Sequence, residues 1–100
     1  MAEKLLIADG YAIVERQVPG RAHVIVDGKR IEAALRADLL VERGGGRFLV
    51  EVKTGAQRAP ESSDTRRQLL EYAAAFRVDG ILLVDAEQKR ICAVSFDYFD

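Results

Sequence analysis

The 100-residue chain holds one cysteine, Cys92, and that scarcity excludes an intrachain disulfide, a multi-cysteine zinc site and a cysteine-ligated iron–sulfur cluster. Long apolar runs are missing as well. The longest are a few residues, far short of the ~20 a helix needs to cross a bilayer, and residues 1–10 carry acidic side chains and no basic n-region of a secretory leader. Both absences point to a cytoplasmic protein with no membrane partner. An excess of charge is absent too: 15 Lys and Arg against 16 Asp and Glu leave −1. That balance argues against a protein that coats nucleic acid indiscriminately, since such affinity comes from net phosphate neutralisation, but it permits a local basic face. The triple glycine at 44–46 has no Lys-Ser or Lys-Thr after it at P-loop spacing. Ser62 and Ser63 lack the His and Asp arrangement of a nucleophilic-serine hydrolase.

What is present suffices for one small core. A chain this short buries about 60–70% of the surface its unfolded form exposes, so nearly every apolar segment must serve a single domain over residues 1–100. Residues 3–9 predict a short helix that Gly10 ends. Extended structure begins over 11–14 and returns in the β-branched run 22–26. Asp27-Gly28 is a hairpin signal, and the long extended stretch 30–42 should pair antiparallel with the run before it. Residues 43–46 make the next reversal, and 47–53 form a third strand. Gly, Pro, Ser and polar residues then concentrate over 54–64, as in an exposed loop. Leu69, Tyr72, Ala73 and Phe76 recur at i, i+3, i+4 and i+7 and predict an amphipathic helix over 65–77. Residues 81–84 read as a strand buried on both faces, and 91–96 as an edge partner. A helix that crosses from strand to strand implies a mixed sheet with layers on both sides.

The stretch 36–53 resists a purely structural account. On the third strand a period of two sends Phe48, Val50 and Val52 to one face and Leu49, Glu51 and Lys53 to the other. With a reversal at 43–46, Asp38 lies directly across from Glu51 or one step away. Two carboxylates held close on rigid strands repel one another and shift upward in pKa unless a cation is present. A divalent metal removes that cost, and magnesium prefers one or two carboxylates together with waters and a phosphate oxygen. An ammonium two residues along the strand, on Lys53, would reach the attacking water or the scissile phosphate. The bland counterpart is a solvent-facing pair of Glu51 with Lys53 or Arg36, contributing a few tenths of a kcal/mol. His23 reads as a partly buried strand residue and Cys92 as a small buried hydrophobe.

Asp38, then Glu51-Val52-Lys53 on the neighbouring strand, then Gln68 and Tyr72 on the following helix, together resemble the PD-(D/E)XK nuclease superfamily. The segments 36–41, 50–55 and 68–72 are most similar to its RecB-like and Cas4-like branch, and archaeal Holliday-junction resolvases share much of the same core. The resemblance implies an α/β fold with a restriction-endonuclease-like mixed β-sheet flanked by helices. It also implies Mg2+- or Mn2+-dependent hydrolysis of DNA phosphodiester bonds. Asp38 and Glu51 would be metal ligands. Lys53 would orient the attacking water and stabilise charge on the phosphate, and Gln68 would fix the lysine or touch the DNA backbone. Many members add a glutamate on the first helix as a further metal ligand; Glu3 is the candidate here and Glu15 the fallback. Tyr72 matches an aromatic one turn after the glutamine and would be a DNA contact, and Gln68 and Tyr72 at i, i+4 share a helix face. The Cas4-like branch commonly carries an iron–sulfur cluster, which Cys92 alone does not support.

Arg58, Arg66 and Arg67 flank the loop after the third strand. Two arginines at a helix N-terminus oppose the macrodipole, which favours a functional role such as gripping DNA phosphates. The implied partner is DNA, whether duplex, branched or single-stranded. Dimerisation through an exposed strand or helix would enlarge so small a surface. The rival expectation is a non-catalytic nucleic-acid-binding or assembly module that retains the fold.

Overall fold

Short as it is, the first helix is closed by its own backbone. The structure, a computed structural model, describes residues 1–53 and 63–96. α1 (Ala2–Ala8) ends in a Schellman arrangement: the Tyr11 N–H donates to the Leu6 carbonyl at 2.9 Å and the Gly10 N–H to the Ile7 carbonyl at 3.0 Å, with Gly10 at φ 94°. Leu6 and Tyr11 then enter the same apolar cluster, so the cap also sets the angle at which α1 meets the sheet. Arg43 locks this corner, donating to the Asp9 carbonyl at 2.9 Å while its guanidinium lies 4.1 Å from the centre of the Tyr11 ring.

The remaining elements are β1 (Ala12–Val26), β2 (Lys29–Arg43), β3 (Gly46–Lys53), α2 (Ser63–Ala75), β4 (Gly80–Asp85) and β5 (Arg90–Val94). They form one five-stranded sheet in the order β1-β2-β3-β4-β5. Every pairing is antiparallel except β3 with β4, where α2 makes the long crossover that parallel strands require. The expected α/β mixed sheet is therefore the observed one. Gly44 and Gly45, both at positive φ, make the two-residue turn between β2 and β3, and this turn sets Arg43 opposite Gly46 and Leu39 opposite Val50.

Apolar side chains cover both sides of the sheet. Leu6, Leu39, Val41, Val50, Leu82 and Val84 form the cluster under α1. Val18, Ala37, Leu40, Leu49, Leu69, Tyr72 and Ile81 form the cluster under α2. As its apolar run predicts, β4 is buried from Ile81 to Val84.

β1 departs from the expected pair of separate extended stretches by running unbroken for 15 residues. Pro19 is tolerated inside it because β1 is an edge strand. Beyond Gly20 and Leu35 the β1–β2 hairpin continues as an arm, and its outer part exposes Val24, Ile25, Val26 and Ile31. The molecule is accordingly 47 Å long and 29 Å across. The predicted loop over 54–64, with Arg58, falls outside the described residues up to the start of α2.

Candidate active site

The alternation expected along β3 is present. Phe48, Val50 and Val52 pack with the α1-side cluster, whereas Leu49 joins the α2-side cluster and Glu51 meets α2. Glu51 is only 6% exposed, and its carboxylate is enclosed by partners. Lys53 Nζ lies 3.2 Å from Oε2, Gln68 Nε2 donates to Oε2 at 3.3 Å, and the Tyr72 hydroxyl sits 3.1 Å from Oε1. That hydroxyl is also 2.9 Å from the Arg36 carbonyl oxygen and accepts from Gln68 Nε2 at 3.2 Å. β3, α2 and the root of the β1–β2 arm are thus tied together through one glutamate. Among the described residues no buried side-chain nitrogen or oxygen lacks a partner.

Electrostatics follow from this enclosure. Burial pushes the Glu51 carboxyl above the usual carboxylate range, the negative charge of Asp38 pushes it further, and the hydrogen bonds and charge of Lys53 with the Tyr72 hydroxyl pull it back. Burial, with the Glu51 charge beside it, raises the Tyr72 phenol, so the hydroxyl keeps its hydrogen at neutral pH. The Asp38 charge therefore acts on Glu51 as a like charge, the situation that favours a cation beside it.

Asp38 reaches this neighbourhood differently. The ladder between β2 and β3 closes at Leu39 and Val50, and one step further the Asp38 carboxylate replaces a backbone acceptor: Oδ2 takes the Val52 N–H at 2.7 Å. The strand twists at this point. Ala37 belongs to the α2-side cluster and Leu39 to the α1-side cluster, although residues two apart on a regular strand share a face. Across from Asp38, Gln17 is left-handed at φ 53°. Asp38 then lines a hollow of about 700 Å3 together with Glu3, Lys4, Arg16, Gln17 and Val52.

Of the residues singled out from sequence, Asp38, Glu51, Lys53 and Gln68 are brought into one neighbourhood. Tyr72 is corrected from a DNA contact to a positioning residue: at 3% exposure its ring lies in the core and its hydroxyl points at Glu51 and Arg36. Glu3 lies in the hollow with Asp38, but Arg16 holds it, Nη2 to Oε1 at 2.7 Å and Nε to Oε2 at 2.9 Å. That guanidinium keeps the Glu3 carboxyl below its ordinary pKa. Glu15 pairs with Leu40, whose side chain is on the α2 side, and is not in the hollow. Arg66 and Arg67 are exposed on the first turns of α2. Among the described residues no three His, Cys, Asp or Glu side chains gather as a preformed metal cage. The pair Asp38 and Glu51 still suits a hard cation such as Mg2+, which takes one or two carboxylates and keeps its other positions for water and phosphate oxygens.

No family model and no curated protein matches the sequence. Among solved structures the chain is similar to SSO0001, with 21% identity and a TM-score of 0.59 over 80% of this chain. It spans 40% of the length of that protein. A second likeness, to an XisH family protein from Nostoc punctiforme, has 20% identity and a TM-score of 0.54 and covers 94% of this chain and 95% of the other. The fold is restriction-endonuclease-like. Within that restriction-endonuclease-like sheet, Asp38 and the Glu51-Val52-Lys53 segment sit on the adjacent strands β2 and β3, and Gln68 reaches them from the crossover helix α2.

Proposed function

We propose that the chain is a Mg2+- or Mn2+-dependent deoxyribonuclease that hydrolyses DNA phosphodiester bonds at Asp38, Glu51 and Lys53. The observation that carries this reading is geometric: Lys53 Nζ lies 3.2 Å from Glu51 Oε2 on β3, and Asp38 on the adjacent β2 accepts the N–H of Val52, the residue between them. Asp38 and Glu51 would hold the cation, which when bound would neutralise the two carboxylates and stabilise negative charge developing on the phosphate. Lys53, partly buried and anchored on Glu51, supplies a positive point charge for the attacking water and the phosphate. Gln68 and Tyr72 hold Glu51 in place from α2, so the carboxylate does not swing away when Lys53 turns to substrate.

Arg66 and Arg67 on α2, and Arg58 in the preceding segment of the sequence, are proposed to grip DNA phosphates. Among the described residues no helix is long and apolar enough to cross a membrane. A cytoplasmic location and a homodimer that presents two sites to one DNA remain parts of the proposal.

The test is incubation of the purified protein with end-labelled single-stranded, duplex and branched DNA in Mg2+ and in Mn2+. Cleavage of at least one substrate, lost in Glu51→Ala, supports the reading. Failure to cut all three with either metal overturns it and leaves the non-catalytic module. Calorimetric Mn2+ titration of the wild type against an Asp38→Ala, Glu51→Ala double variant separates the two without DNA.

A further inference from the structure

The hollow beside Asp38 contains an arginine whose position takes two irregularities of the backbone to achieve. Ile13 pairs with Val41 and packs on the α1 side. In a regular strand Arg16, three residues on, would face the other way. A bulge shifts the register between Ile13 and Glu15, so that Arg16 pairs with Leu39 and returns to the α1 side. The left-handed Gln17 then reverses the strand again, and Val18 faces α2. Bulges re-aim side chains at functional sites, and here Arg16 is the side chain re-aimed.

Arg16 faces Glu3 across the hollow in a two-point contact at 2.7 and 2.9 Å, with side chains 64% and 37% exposed. An exposed pair adds little to stability, which leaves this distortion of β1 without a folding purpose. A guanidinium that forks onto a carboxylate has the same match to two phosphate oxygens. We propose that Arg16 is a phosphate-binding residue of this site, and that Glu3 is its resident counter-ion, displaced when a DNA phosphodiester enters the hollow beside Asp38. The identity of the ligand rests on the deoxyribonuclease reading. The exchange frees the Glu3 carboxylate within the hollow that Asp38 also lines.

Binding without metal tests this apart from catalysis. The probe is a fluorescein-labelled DNA with a duplex stem and a single-stranded tail, followed by anisotropy in EDTA over a series of salt concentrations. Arg16→Ala weakens binding by about tenfold and reduces the slope of log K against log salt by about 0.9. Arg16→Lys, which keeps the charge and loses the fork, recovers part of the affinity. Glu3→Gln, which frees Arg16, binds about two- to fivefold tighter than wild type, and this gain disappears in the Arg16→Ala background, which the loss of one negative charge alone does not produce. Circular dichroism establishes that each variant is folded. Wild-type binding and cleavage with unchanged affinity in Arg16→Ala, or with no tightening in Glu3→Gln, overturns this inference and leaves the deoxyribonuclease reading standing. A wild-type protein that neither binds nor cuts DNA overturns that reading and this inference with it.

Discussion

The two sides of the sheet carry unlike halves of the proposed site. On the α2 side, Glu51, Gln68 and Tyr72 are closed in against β3, and among the described residues every buried side-chain polar atom has a partner. On the α1 side, Glu3 and Arg16 stand at an open hollow and pair with one another. The difference follows from the cost of burial. A carboxylate out of water must be enclosed by donors or lose its charge, so the buried half is arranged before any ligand arrives. An exposed ion pair loses little when exchanged for another, so the open half is free to change partners. Asp38 joins the halves, anchored by the Val52 N–H and acting electrostatically on Glu51.

If that contrast holds, the largest effects on activity belong to the buried half. Glu51→Ala and Lys53→Ala are expected to lower metal-dependent cleavage by about a thousandfold or more, with far-ultraviolet circular dichroism unchanged. Unfolding of Lys53→Ala would instead assign the lysine a structural role. On stability, Tyr72→Phe removes the hydroxyl that ties α2 to Glu51 and the Arg36 carbonyl. The expected loss is about 1–2 kcal/mol, read in thermal melts as a drop of about 4–8 °C for each kcal/mol in a domain of this size. An unchanged melt would mean that the buried half is as loosely held as the open one.

The pH dependence of stability probes the same half with a smaller effect. Because the folded state raises the Glu51 carboxyl above its ordinary range, folded protein keeps a proton that the unfolded chain has released. That contribution is fully present below the ordinary carboxylate range and is lost as pH rises through the raised value. The melting temperature should therefore contain a component that falls over this window, absent in Glu51→Gln. Mn2+ should offset the fall at its upper end, since a cation on Asp38 and the ionised Glu51 binds only the native state. A Glu51→Gln profile that parallels wild type would remove Glu51 as its source.

Much of the buried half was legible in the sequence, because a two-residue period and a glycine turn suffice to place Glu51, Lys53 and Asp38 on neighbouring strands. The i, i+4 spacing of Gln68 and Tyr72 put both on one helix face, but spacing says nothing of depth, and so a buried positioning tyrosine reads as a DNA contact. Of the open half, Glu3 was named through the family resemblance, whereas Arg16 was illegible for a different reason. Nothing in Glu15-Arg16-Gln17 announces a bulge, and glutamine has no preference for a left-handed backbone. The re-aiming of Arg16 depends on β1 being held by β2 at both ends of the irregularity, which is a tertiary constraint.

The smallest expected effect is also the sharpest for the comparison. Glu3→Gln breaks the Arg16 pair at the open hollow, and its melting temperature is expected to match wild type within error. In the same melts Tyr72→Phe should fall clearly, although each substitution removes one polar partner from one charged group. The two differ in what replaces the lost contact. Water and an unpaired guanidinium are a comfortable pair at an exposed surface, whereas Glu51 Oε1 loses a partner in a buried site. Equal losses in the two variants would show that the Glu3–Arg16 pair holds α1 on the sheet as firmly as Tyr72 holds α2, and an arginine so committed would not be available for exchange.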